Sequence, residues 1–367
     1  MMMTSRVTNS MLMNTLLSNL STNLTKMDTL QNQLATGRKY AHISDDPSAL
    51  IYGQAARNKL ARLGHYQKTV ETAQSWLTQA EAGIMEMQKV IGNVYEEVVN
   101  AGSVKSPDDK RNVAMMISQM RDHYVDTLNA SYGDRFVYSG YNTPGDFVLG
   151  ANPVIKPFEV INDQLYFNGF NISQFDGMDA RDFYDQLNAE PPVGEFEMLK
   201  KLMDDVITFD VGPGISMPVT MNGIDLVLYT AIDEETGLPV IRNTFDVLTD
   251  VYYSVNGHPG DPTAVPPIEP TEPLGVDELT KKIKTLQDAQ NHLLTKTAEI
   301  GGRTRRLELL EARYEQDYIN YETMRSDAED ADMAEVIMYL KMAETVYQAA
   351  LSAGARVIQP TLMDFLR

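Results

Sequence analysis

The sequence predicts a mainly α-helical chain with a β-rich inserted domain, in which the N- and C-terminal segments together form a long helical coiled-coil rod. Three observations carry this. Both ends hold narrow apolar stripes at three- and four-residue steps, a longer stripe of the same kind runs from 63 to 101, and the middle is aromatic, β-branched and punctuated by Gly, Pro and Asn. Such a repeat places a thin seam along one side of a helix, suited to pairing with other helices and too narrow for a globular core.

Near the N-terminus the stripe is Met13, Leu17, Leu20, Leu24, Met27 and Leu34, interrupted by the polar Gln31. Near the C-terminus it is Met333, Val336, Leu340, Ala343, Tyr347, Ala350, Gly354 and Val357. The strongest periodicity lies between them, in Leu63, Tyr66, Val70, Ala73, Leu77, Ala80, Ile84, Met87, Ile91, Val94, Val98 and Ala101, which fill every step of the repeat. Ser44-Asp45-Asp46-Pro47 marks the start of that helix, Asp46 as cap and Pro47 at the first helical position. Ser106-Pro107-Asp108-Asp109 repeats the device for a helix ending near Ser131.

From Arg135 to about Tyr253 the pattern reads as strands and hairpins at Phe136-Val137-Tyr138, Gln164 to Gly169 and Ile224 to Tyr229. Short helices are expected at Ala180 to Leu187, Phe196 to Val206 and Thr244 to Tyr253, and the proline-rich stretch His258 to Pro273 reads as a linker. Helical periodicity returns at Leu279, Ile283, Leu286, Leu293, Ile300, Leu307, Tyr314, Tyr318 and Tyr321. The expected division is a terminal assembly domain of 1–42 with 328–367, a helical rod domain with a β-hairpin of 43–143 with 276–327, and the inserted domain 144–275, which contains the linker 258–273.

Composition narrows the function. A formal charge of -20 with no extended basic run argues against nucleic acid. No apolar run approaches the length of a membrane span, and the first twenty residues alternate apolar with Asn, Ser and Thr, without a signal-peptide core. Zero cysteines remove disulfides, thiolate nucleophiles and cysteine-bound metals from consideration. The histidines His42, His65, His123, His258 and His292 are dispersed, and neither Gly301-Gly302 nor Gly212-Pro213-Gly214 fits a phosphate loop. No enzyme, cofactor or metal site is expected. Asp327, Glu329, Asp330 and Asp332 lack the Gly and distal Glu of a calcium loop and read as helix-start charge.

Gly37-Arg38-Lys39 with Ser44-Asp45-Asp46-Pro47, Phe136-Val137-Tyr138-Ser139-Gly140, Ala328 to Ala334 and the ending Leu362-Met363-Asp364-Phe365-Leu366 resemble the flagellin superfamily. The likeness covers roughly 5–143 and 276–367. The Ser-Asp-Asp-Pro form and the Asp-Phe-Leu ending are similar to the hook–filament junction branch, and Asn93 and Tyr95 stand where filament flagellins carry receptor-recognised arginines. The proline-rich linker departs from the compact family pattern. The resemblance implies a flagellin-like fold and a structural role outside the cell, joining hook to filament. Its implied partners are copies of itself in a ring, a neighbouring hook-associated protein, flagellin on the filament side, and a cytoplasmic export chaperone on the C-terminal helix. Export would follow the flagellar type III route without a cleaved signal peptide. Filament flagellin is the alternative within the superfamily. Another is an adhesive or carbohydrate-binding module in 144–275, with Tyr166, Phe167, Phe170 and Tyr184 as candidate surface, although core packing explains these aromatics better.

The stripe residues and the helix-start motif are the candidate site. Pairing the two ends alone does not offset the entropy of ordering them, so their folding is expected to be coupled to assembly.

Overall fold

A computed structural model describes residues 9–42, 44–103, 106–133, 135–140, 156–189, 191–192, 194–233, 236–257 and 276–363. Long helices dominate: α1 (Asn9–Thr36), α2 (Pro47–Ser103), α3 (Pro107–Leu128), α8 (Val276–Glu329) and α9 (Met333–Met363), with short helices α4 (Ala180–Leu187), α5 (Glu195–Met203), α6 (Gly223–Val227) and α7 (Thr244–Asn256) between. The chain divides into two compact units, one drawn from Met1–His65 and Arg313–Arg367, the other from Tyr66–Ala312. The expected boundaries at 42/43 and 327/328 both fall inside the first unit. The expected linker 258–273 lies outside the described residues.

In the second unit the α2 stripe is the core. Val70, Ala73, Leu77, Ala80, Ile84, Met87, Ile91, Val94, Val98 and Ala101 are all buried. Leu279, Leu286, Leu293, Ile300 and Leu307 supply a matching buried row from α8. Side-chain hydrogen bonds from Gln74 to Glu311 and from Gln88 to Thr297 set the two helices antiparallel here.

Among the described residues strands occur only as small antiparallel sets. β1 (Ser131–Tyr132) pairs with β2 (Arg135–Phe136); β3 (Phe158–Ile161), β4 (Gln164–Phe167) and β5 (Phe170–Asn171) form a meander; β6 (Thr208–Gly212) pairs with β7 (Ile215–Pro218) and β8 (Leu228–Ile232) with β9 (Pro239–Asn243). The meander turns follow their residues: Asn162-Asp163 and Asn168-Gly169 both take positive φ, the requirement of the tight hairpin turn that matches strand twist. The Asn129 side chain substitutes for a ladder partner, its amide donating to the Phe158 carbonyl at 2.9 Å and its oxygen accepting from the Phe158 N–H at 2.9 Å. That anchors β3 to the end of α3.

Two strand expectations are corrected. Ile224 to Val227 forms the helical turn α6, because the Asn222 side chain caps the Ile224 N–H and Ile224, Leu226 and Val227 are all buried, so no alternation exists to define a strand. At Phe136-Val137-Tyr138 only Phe136 is in a strand; the chain then bends so that the buried Tyr138 hydroxyl donates to the Ala80 carbonyl at 2.7 Å. The short helices expected in the insert form at 180–187, 195–203 and 244–256. α4 and α5 bury Phe183 and Phe196 against Phe175, with ring centroids 5.3–5.6 Å apart.

Gly83 is where α2 admits Tyr138: a Cβ there would lie 2.2 Å from the tyrosine hydroxyl. Gly83→Ala is expected to destabilise by about 1–3 kcal/mol through overpacking, and Tyr138→Phe by about 1 kcal/mol through the lost hydrogen bond. The double variant should cost clearly less than the sum, read from urea midpoints at constant slope.

Asp246, at the start of α7, accepts from the Ser173 hydroxyl at 2.8 Å while its other oxygen is buried without a partner. Burial, with Asp176 and Asp250 nearby, raises its carboxyl to about 7, against the Ser173 hydrogen bond. The folded state therefore favours the protonated acid. Its contribution to stability is complete below about pH 4 and is lost as pH rises through about 7. Asp246→Asn should flatten that part of the stability profile and gain most above pH 7.

Candidate functional site

The first unit is organised around a joint where two interruptions of the helical chain meet. α1 ends at Thr36, and Gly37 adopts φ +69° with its N–H on the Gln33 carbonyl at 2.8 Å, a left-handed helix stop suited to glycine. The exposed backbone then pairs with the break between α8 and α9. Lys39 N–H donates to the Glu329 carbonyl at 2.6 Å and Ala331 N–H to the Gly37 carbonyl at 2.9 Å, bracketing an antiparallel bridge between Arg38 and Asp330. Gln33 closes the loop from within α1, its amide donating to the Lys39 carbonyl at 2.7 Å.

The helix-start residues act locally. Asp46 Oδ1 accepts from the N–H groups of Ala49 and Ser48 at 3.0 and 3.1 Å, and Pro47 is the first residue of α2. These bonds, Ala49 first and then the Ser48 hydroxyl, hold the Asp46 carboxyl below the usual carboxylate range. Asp45 Oδ2 turns back to the His42 and Ala41 N–H groups at 2.9 and 3.2 Å, and Ser44 lies in the exposed turn before it. Across the joint, Asp332 Oδ1 accepts from Ala334 and Glu335 at 2.9 and 3.2 Å and so begins α9.

Glu329 departs from the reading of its cluster as helix-start charge. Together with Asp327 it lies in the last turn of α8, and its side chain is buried on α2. Arg57 holds it, Nε to Oε1 at 2.8 Å and Nη2 to Oε1 at 2.6 Å. Gly53, one turn before Arg57, makes room: a Cβ there would come within 2.2 Å of the same carboxylate oxygen. An acid at a helix C-terminus opposes the dipole, and the guanidinium offsets this. Neither Gly53 nor Arg57 stood out in the sequence. A glycine inside an otherwise strong helix costs about 1 kcal/mol relative to alanine, and that was the available signal for a close approach.

Past the joint α1 and α9 pair lengthwise. Leu30, Val336 and Ala343 are buried together, with Met27, Leu34, Ala331 and Leu340 packed on them. Further along, Leu16 reaches Gly354, where a Cβ would meet its methyl at 2.7 Å. On α1 the less exposed positions follow 13, 16, 20, 23, 27, 30 and 34, with Gln33 beside the last, an unbroken heptad with Leu16, Asn23 and Leu30 in place of the expected Leu17, Leu24 and Gln31. Leu17 and Leu24 are 59% and 47% exposed and face away from α9. The sequence offered an apolar residue in both phases, and burial selected the phase that includes Leu30. On α9, Val336, Leu340, Ala343, Tyr347, Ala350 and Gly354 are the less exposed row, whereas Met333, Ile337, Met338, Met342 and Val346 are exposed. The Val357 side chain lies outside the described part.

In the insert, Phe167 is fully buried, Tyr166 and Phe170 are half-buried, and Tyr184 is exposed with its hydroxyl 3.2 Å from that of Thr230. Among the described residues no helix is long and apolar enough to cross a membrane.

Residues 7–143 match the family model of the bacterial flagellin N-terminal helical region. The flagellar hook-associated protein 3 of Escherichia coli is 22% identical over 326 residues, 88% of this chain and 87% of that protein. Residues 7–143 therefore carry the flagellin N-terminal helical region. A Vibrio parahaemolyticus structure described as a flagellar hook-associated protein shares the fold of this chain, with TM-score 0.54 and 15% identity over 78% of this chain and 100% of that one. The flagellar junction protein of Legionella pneumophila is similar at TM-score 0.50 and 11% identity over 76% and 100%. The segments 37–39 and 328–334 are the two sides of one hydrogen-bonded contact.

Arg57→Ala strands the Glu329 carboxylate and should destabilise the first unit by about 1–3 kcal/mol, whereas Arg38→Ala should change stability little. Hydrogen exchange at the Lys39 and Ala331 amides is the readout, with faster exchange expected only in the first variant.

Proposed function

We propose that this chain is a flagellin-family structural subunit of the bacterial flagellum that joins the hook to the filament. The observation that carries assembly is the terminal helix pair, which buries one apolar row and leaves a second one bare: Leu17 and Leu24 on α1, Ile337, Met338, Met342 and Val346 on α9. Such a bare row is an interaction surface. The choice of the junction rests on the likeness to hook-associated protein 3 along most of both chains.

α1 adds a second argument. Nearly half of its residues are Ser, Thr or Asn, it carries no acid in its first turn and no base in its last, and Thr15, Thr22, Thr25, Thr29 and Thr36 hydrogen-bond back to carbonyls four residues earlier. A helix of this composition has low intrinsic propensity. Its order depends on burial, and contact between α1 and α9 supplies only part of that. Neighbouring subunits supply the remainder, so the termini fold as the junction forms. The subunits form a ring with copies of themselves, contact a hook-associated protein on the hook side, and present the first surface to flagellin on the filament side.

Before assembly the chain is exported by the flagellar type III route without a cleaved signal peptide, and an export chaperone covers the C-terminal helix. A groove that takes Leu340, Ala343, Tyr347 and Ala350 uses the row that packs on α1 and must displace it. Chaperone binding and the paired state are then mutually exclusive.

Deletion of the gene should leave hooks on the cell surface while filaments are shed, seen by electron microscopy. Persisting filaments would defeat the junction reading, and a filament built from this chain would select the flagellin alternative. In complementation, Leu24→Asp should abolish filament retention while circular dichroism of the monomer stays unchanged, because its charge remains hydrated until a neighbour covers it. Leu340→Asp should lose both filament retention and the α1–α9 pairing.

A further inference from the structure

We infer that the cavity beside the joint is a socket for the outward face of α9 from a second copy of this chain, with a methionine of that face entering against Leu50 and Ile51 and its Glu335 meeting Arg38. The inference rests on the assembly reading and names the contact through which subunits recognise one another.

The cavity, about 440 Å³, opens where the joint meets the first turns of α2. Its character is divided. Ala41, Leu50 and Ile51 give an apolar floor, and Ile51 is 68% exposed, an unusual placement for a large aliphatic side chain at the rim of a cavity. Arg57 is neutralised by Glu329, but Arg38, also on the wall, is exposed and makes no ion pair among the described residues. Its backbone is fixed by the bridge to Asp330, so the guanidinium is presented from a rigid base. The cavity therefore suits an apolar, adaptable side chain with a carboxylate close by.

α9 presents that combination. Glu335, Met338 and Met342 are spaced by three and four residues, share one helix face, and are all exposed, the methionines at 54% and 57%. Their own chain has no use for them in the α1 contact, which runs through Val336 and Ala343. Unbranched methionine fills irregular spaces without a preset shape. The outer row of α1 offers the combination less well: its apolar residues are leucines, and its one acid, Asp28, stands two residues from Lys26. With a net charge of -20 the chain also repels copies of itself in general, so a free arginine beside an apolar cavity favours one docking geometry over others.

The absence of cysteine makes the test direct. Full-length Ile51→Cys and Met342→Cys chains are mixed, assembled on isolated hooks and treated with a mild thiol oxidant. A disulfide-linked heterodimer is expected in the assembled fraction and absent from the monomer, while Leu294→Cys in place of Met342→Cys gives none. In parallel, Arg38→Glu and Glu335→Arg should each lower the assembled fraction at least about tenfold, equivalent to 1.4 kcal/mol per contact, and the double exchange should restore it, which a folding defect would not. Normal assembly without the cross-link, or no rescue by the exchange, overturns the socket and leaves the flagellar reading intact. Failure of the unaltered chain to assemble on hooks overturns both.

Discussion

The first unit depends on a short antiparallel exchange between two places where the helices stop. Lys39 and Ala331 donate across to Glu329 and Gly37, and these bonds satisfy backbone groups that a helix end leaves open. They also fix a common origin for α1 and α9. Leu30 lies seven residues before Gly37 and Val336 five after Ala331, so once the exchange forms, the two meet at the same height along the pair. A one-residue slip would rotate either stripe by about 100° away from its partner. The Glu329–Arg57 pair protects this arrangement by filling the space that Gly53 leaves open.

Much of the fold was legible because α2 and α8 repeat without error. The α2 row from Val70 to Ala101 is buried at every step, and the heptad in α8 from Leu279 to Leu307 is buried opposite it. Where one period persists that long, no alternative competes with it. The insert was less legible. Asn162-Asp163 and Asn168-Gly169 declare their hairpins through residues that tolerate positive φ, but Ile224 to Val227 is apolar at nearly every position and has no period to read. There a single capping side chain, Asn222, decided in favour of a helical turn. The Asn129–Phe158 pairing was invisible for a related reason, since the two residues are brought together by tertiary structure and not by local pattern.

The candidate site divides in the same way. Capping by Asp46 depends only on residues next to it in the chain. The phase of the terminal stripe does not: Leu16 and Leu17, like Asn23 and Leu24, are adjacent, and both phases satisfy a three-four count. The partner helix chooses, and an asparagine was accepted into the less exposed row while two leucines were left outside it. Glu329 was misread because acids are common at helix starts, whereas its role is set by an arginine far away in the sequence.

That choice of phase bears on function. Each phase of α1 holds four leucines, two methionines and one polar residue, Asn23 in the inward row and Gln31 in the other, so composition alone does not decide which faces α9. The inward row takes Leu16, Asn23 and Leu30, which leaves Leu17 and Leu24 outward. The pair thereby keeps apolar surface for a neighbour. The threonine-rich composition of α1 gives the helix little intrinsic propensity of its own, and the proposed coupling of terminal order to contact with the next subunit rests on that together with the bare outer row. The second unit, with its unbroken buried rows, carries no such dependence. On the proposed reading, stability placed in one unit and held back in the other would let a subunit keep its core folded while its ends order only on the structure they join.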